Sequence, residues 1–269
     1  MKDLINPAIF AYTLYVKFAN WRNLLPLLLI MFMPSFLLGL MMSFPHMEIT
    51  ANSQKQIAQI LNMYFASPMV CIATAYFFIS DGFAGQKLIS EADPLALLFT
   101  RPITRFSYVI SKFCAALTGG TLIFGCGLLI VYTLAFCLGL KNLPLDYLAL
   151  PNLVCNMAAW TSLIVFMHSA HPFIALTGYF VLLGTSGMGS LFISTEHSDN
   201  SWLELFRDIC LFIHNWFGDF LPSQIDLSSL MAAEAFDQYE FAVFLSNIVF
   251  FLLLATLALN KRELFYGSE

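Results

Sequence analysis

The chain alternates between long apolar runs and polar breaks, and six runs have the length of a membrane-crossing helix. They cover residues 24–44, 57–80, 106–140, 147–167, 173–195 and 241–259. A helix needs about 20 predominantly apolar residues to traverse the hydrocarbon core. The third run exceeds that, which predicts a tilted helix or one projecting into water at one end. Pro26, Pro34, Pro68 and Pro151 interrupt the runs, and a bundle in lipid tolerates them where neighbouring helices re-satisfy the freed carbonyls. The pattern predicts an all-α integral membrane protein, a single transmembrane domain over residues 1–269 with six spans.

Two segments outside the runs have amphipathic spacing. Within residues 1–22, INPAIFAYTLYVKFANWRN reads as an interfacial helix capped by Asn6, with Pro7 at its first position. Phe10, Leu14, Phe18 and Trp21 form one stripe, whereas Thr13, Lys17 and Asn20 face elsewhere. Lys17, Asn20 and Arg22 would be costly deeper in a bilayer. The blander alternative makes this segment the frayed start of the first span. The outer segment, residues 196–240, contains LFRDICLFIHNWFGDFL, whose apolar residues recur every three or four positions. That spacing predicts one or two amphipathic helices lying on the membrane surface.

Composition narrows the class. Hydrophobic residues make up 59% and charged residues 11%, with a mean hydropathy of +0.77. A soluble domain carries about 25% charged residues to cover its surface. The charged start is followed by an apolar run too long for a signal-peptide core and without a cleavage site, so that run is expected to be retained. Placing both termini on one side puts Lys2, Lys17, Arg22, Lys87, Arg101, Arg105, Lys112, Lys261 and Arg262 there, against Lys55, Lys141 and Arg207 opposite. By the positive-inside rule both ends are cytoplasmic. The outer segment then holds Glu196, Asp199, Glu204, Asp208, Asp219, Asp226, Glu234, Asp237 and Glu240 beside one Arg207. Five of the six cysteines lie in apolar segments, with Cys210 in a polar one, and show no pairing framework.

The stretch LLFTRPITRFSYVISK, residues 97–112, holds three of the twelve basic residues. It belongs to a longer segment, 81–112, in which Leu88, Ile89, Leu95, Leu97, Leu98 and Phe99 alternate with Lys87, Glu91 and Asp93. Orientation alone needs only a few positive charges. A patterned segment of this length predicts a short amphipathic helix, stopped by Pro102 and followed by a basic start to the third span.

In order, Asp81, Gly85, Leu97–Leu98, Pro102–Ile103–Thr104–Arg105 and Lys112 resemble the signature of the membrane subunits of type-two ABC transporters, the ABC-2 permease family. The six-span layout, the N-terminal amphipathic helix, Leu221–Pro222 before the last span and the basic tail NKREL are similar too. The match departs from the family where Asp81 replaces the commoner Glu, Gln86 follows Gly85, and a few extra residues separate Gly85 from Pro102. The resemblance implies a permease in a bacterial inner membrane, most simply an exporter. Its loop 81–105 would seat a coupling helix in a separate ABC ATPase, with Asp81, Gly85, Glu91, Leu97, Leu98, Pro102, Arg105 and Lys112 at the coupling site. Two ATPase copies, a second permease chain (the same or a paralogue) and the lipid bilayer are the implied partners, with an external partner at 196–240 as an open option. No nucleic-acid partner and no cofactor of its own are expected. The chain lacks a GxxxxGK[ST] phosphate loop, so ATP and Mg belong to the partner and the chain itself is not expected to be an enzyme.

Other candidate chemistry is sparse. His168 and His171 flank the turn between the fourth and fifth spans, but Pro172 follows and no acidic or Cys partner is near, so an interfacial turn is preferred to a metal site. GGTLIFGCG (119–127) and GTSGMGS (184–190) predict close helix packing; the second alternatively marks a break near the outer face. Asn62, Asn152, Asn156 and Asn247 place amides within or near spans, either lining a translocation path or bonding between helices. No charge sits mid-span, which disfavours a carrier driven by protons or sodium. The alternatives to a permease are a membrane scaffold or anchor subunit and an intramembrane enzyme; no HExxH or comparable constellation favours the last.

Overall fold

The computed structural model describes residues 4–19, 21–42, 67–80, 104–138, 149–171 and 238–266, together with Gly178, Val181, Asp208, Phe212, Pro222, Ile225 and Leu227. Every regular element among the described residues is a helix: α1 (Pro7–Ala19), α2 (Trp21–Met42), α3 (Pro68–Ile79), α4 (Arg105–Cys137), α5 (Ala149–Ala170) and α6 (Gln238–Tyr266). Among the described residues, three stretches are long and apolar enough to cross a membrane: Arg105–Cys137, Pro151–Ala170 and Gln238–Lys261.

Helix boundaries follow local chemistry. α1 begins where the Asn6 side-chain oxygen accepts from the Ala8 and Ile9 amides at 3.0 and 3.4 Å, and Pro7 supplies a first residue that needs no donor. α4 begins at Thr104, whose extended backbone and hydroxyl, accepting from Ser107 N at 3.3 Å, make an N-cap. The run predicted at 57–80 is not one continuous helix. Ser67 is extended (φ −65°, ψ 121°) and α3 starts at Pro68. A proline ring suits the first helical position but clashes with the preceding turn inside a helix. Pro26 and Pro34, by contrast, stay inside α2. α6 runs from Gln238 to Tyr266, longer at both ends than the predicted span 241–259 and taking in residues assigned to the outer segment and the basic tail. Residues 57–66, nearly all of the predicted fifth span, most of the outer segment and residues 81–103 lie outside the described residues.

α5 packs most extensively on α6 and then on α3, while α4 touches all the other helices. One apolar cluster joins them, with Phe78, Phe124, Met157, Trp160, Ile164 and Leu252 among its members. Glycines bring the backbones together. A Cβ on Gly119 would lie 2.3 Å from the Phe78 ring, one on Gly120 2.4 Å from the Met157 methyl, and one on Gly127 3.1 Å from the Met31 carbonyl. The first small-residue cluster is therefore a packing device, as its composition predicts. The outward faces remain apolar: Leu122, Leu129 and Phe136 on α4 and Val249, Phe250, Leu253 and Leu257 on α6 are exposed. Such surfaces suit contact with lipid rather than water.

α1 departs from the expected orientation. Ile9, Thr13 and Lys17, one turn apart in succession, are buried, whereas Tyr12 and Tyr15 are 67% and 69% exposed. The polar stripe thus turns inward. Leu14 and Phe18 flank it and pack against the core.

Candidate functional site

The patterned segment 81–103 connects α3 to α4 in the chain, so the end of α3 and the start of α4 are its two roots and the structural setting of the candidate site. At the first root, the Ser80 amide donates to Tyr76 O at 2.8 Å and closes the last turn of α3. The Ser80 carbonyl accepts from Lys17 Nζ of α1. That ammonium also sits 4.9 Å from the centroid of the Phe77 ring, and Lys17 is only 2% exposed. A helix C-terminus carries partial negative charge, and an aromatic face attracts a cation, so both neighbours offset the desolvation of the buried charge. Phe18 and Phe78 meet beside them, with ring centroids 5.9 Å apart.

At the second root the sequence PITR acquires a physical meaning. Thr104 is the cap that starts α4, and Arg105 is the first helical residue. Arg105 Nη1 donates to Asn260 Oδ1 near the end of α6. Lys112 lies two turns on, half-buried, with Nζ 5.4 Å from the centroid of the Tyr108 ring. Ser111 Oγ accepts from the Asn6 amide at 2.8 Å and donates to Ser107 O at 2.6 Å. Of the eight residues assigned to coupling, Arg105 and Lys112 are thus placed, on the first three turns of α4. Asp81, Gly85, Glu91, Leu97, Leu98 and Pro102 lie outside the described residues.

The asparagines divide. Asn152 Oδ1 accepts from Leu227 N at 2.6 Å, tying the first turn of α5 to the segment before α6. That is an architectural bond. Asn156 is buried, one turn further along α5, and its Oδ1 has no hydrogen-bond partner. One turn beyond it Trp160 is 1% exposed and its Nε1 is likewise unpartnered, as is the hydroxyl of the fully buried Thr161. Asn247 is half-buried on α6. Asn62 lies outside the described residues. Of the proposed path residues that are described, Asn156 is the one with an unsatisfied acceptor.

His168 belongs to the last turn of α5, and His171 follows that helix with its amide donating to Met167 O at 3.2 Å. The helix of the fourth predicted span therefore runs on past residue 167, and His168 is helical rather than part of a turn. Among the described residues no group of three or more His, Cys, Asp or Glu side chains could hold a metal ion. Cys71, Cys114, Cys126, Cys137 and Cys155 are free thiols.

The site also contains residues that the sequence did not single out: Ser80, Ser111, Asn260 and Trp160. The sequence places Lys17 off the apolar stripe of Phe10, Leu14, Phe18 and Trp21. The four-residue spacing puts Ile9, Thr13 and Lys17 on one stripe of the helix, but nothing in the sequence says which way that stripe turns. No family model, no curated protein and no solved structure matches the chain.

Proposed function

We propose that the chain is the permease subunit of an ATP-driven transporter of the ABC-2 type. It works as an exporter, pairing with a second permease chain and driven by a separate ATPase that docks on residues 81–105. In this arrangement six spans cross a bacterial inner membrane and both termini face the cytoplasm. The carrying observation is the ordered motif Asp81, Gly85, Leu97–Leu98, Pro102–Arg105, Lys112. Support comes from its C-terminal part: Thr104 caps a long helix, and Arg105 is pinned to α6. A load applied at such a start is carried along α4 as a rigid rod and into α6 through Asn260.

The chain's own task is mechanical and selective. Closure of two ATPases would displace the docked loops as rigid bodies and change which side of the path is open. That works only if ATP and substrate favour the two conformations differently. Bundle faces rich in Leu and Phe, with no charge mid-span, suit a hydrophobic or amphipathic substrate.

The test is affinity purification of the intact chain from native membranes into nanodiscs, with protein identification and an ATPase assay. It is run beside Gly85→Trp, which obstructs the proposed seat. An ABC ATPase that copurifies with the unaltered chain and is lost from Gly85→Trp is the expected result. If no ATPase accompanies the unaltered chain, or Gly85→Trp retains it in full, the proposal is wrong and the scaffold alternative takes its place.

A further inference from the structure

The geometry points to α1 as a strut that holds both roots of the segment 81–103, with Lys17 as the positioning residue at one root and the Asn6–Ser111 bond as the tie at the other. This goes beyond the permease assignment and does not depend on which partner docks.

The orientation of α1 is the first ground. A surface-lying helix with a single cationic residue would keep its ammonium in water by turning that face outward. Here the helix presents Tyr12 and Tyr15 outward and buries Lys17. Burying an ammonium is unfavourable unless its new neighbours compensate. Its neighbours are the Ser80 carbonyl, at the negative end of the α3 dipole, and the Phe77 ring. Both belong to the final turn before the chain leaves α3. Lys17 therefore ties α1 to the exit from α3.

The other end of α1 supplies the second ground. Asn6 uses its side chain to cap α1 and its main-chain N–H to bond Ser111 Oγ. Ser111 in turn donates to Ser107 O, which ties the bond to the first turn of α4. The eleven residue steps from Asn6 to Lys17 span about 16 Å of helix, so one rigid element reaches from the second turn of α4 to the C-cap residue of α3. Neither root shifts relative to the other without breaking one of these ties or carrying α1 along. Because α2 begins at Trp21, such a displacement passes to α2 as well.

Hydrogen exchange read by mass spectrometry on the full chain in nanodiscs tests this. The samples are the unaltered chain, Lys17→Met, Lys17→Arg and Ser111→Ala. Lys17→Met is expected to raise exchange over residues 7–19 and 76–80 by about tenfold while α5 and α6 stay within about twofold. Lys17→Arg, which keeps a cationic donor, should restore most of the protection. Ser111→Ala should raise exchange over 5–10 and 104–111. The strut is overturned if Lys17→Met leaves 76–80 unchanged, or if exchange rises equally through α5 and α6, since Lys17 would then merely support the fold. Should Lys17→Met yield no folded protein, Ser111→Ala decides: unchanged exchange at 5–10 and 104–111 refutes the proposal, and a rise confined there supports it.

Discussion

Replacing Gly119 by Ala adds one methyl group at the tightest contact between α3 and α4. The new Cβ would lie 2.3, 2.5 and 2.9 Å from three atoms of the Phe78 ring, about 1 Å short of ordinary van der Waals contact at the closest. The ring has little room to retreat. Phe78 is 1% exposed, stands edge-on to Phe77 with centroids 5.7 Å apart, and meets Phe18 at 5.9 Å. Overpacking of this kind costs about 1–3 kcal/mol. The exchange of glycine for alanine within a helix returns about 0.5–1 kcal/mol. The net expectation is a loss of about 1–2 kcal/mol, a factor of roughly 5–30 in the folded-to-unfolded ratio. Gly125 is the internal control, because a Cβ there meets nothing within 4 Å. Gly125→Ala should therefore be neutral or slightly stabilising. Reversible denaturant titration in micelles, following tryptophan fluorescence, measures both. Phe78→Leu in the Gly119→Ala background should recover part of the loss by removing the ring. If Gly119→Ala is as stable as Gly125→Ala, the α3–α4 contact does not lie where this packing puts it and the reasoning fails.

The unpartnered Oδ1 of Asn156 makes an opposite prediction. Its buried Oδ1 has no hydrogen-bond partner, and an unsatisfied buried acceptor costs about 1–3 kcal/mol; Asn156→Leu should leave thermal stability unchanged or raise it, and a drop of several degrees in melting temperature would show that the amide is bonded after all. At the start of α4, Thr104→Ala removes the hydroxyl that accepts from Ser107 N. It should cost about 1 kcal/mol, with amide exchange rising over residues 104–108 and not at Gly119–Gly127. Thr104→Ser, which keeps the oxygen, should show no such rise.

The membrane character of this protein was decided by its sequence. Stretches such as SNIVFFLLLATLAL admit few structures in lipid, because every backbone group must be satisfied within the segment and a helix does this alone. Caps were legible for the same local reason: Asn6 and Pro7 define the start of α1 through bonds spanning three residues. The glycine-rich run 119–127 announced close packing, since small residues are what let two backbones approach.

Other features depended on distant partners. Pro68 reads equally well as an interruption or as a first residue, and the extended Ser67 before it settles the choice. Whether Asn152 and Asn156 share a role depends on what lies opposite each. Leu227 N reaches the first, and nothing bonds the Oδ1 of the second. Lys17 is the sharpest case. By sequence alone a lysine on a helix at a membrane edge belongs in water, because hydration of an ammonium outweighs any gain available within its own helix. Only tertiary structure supplies the end of α3 and the Phe77 ring, sixty or more residues away, as alternative partners. The apolar and polar pattern determines which segments become helices, whereas the direction in which a polar face turns is set by the carbonyls and rings that the rest of the fold brings to it.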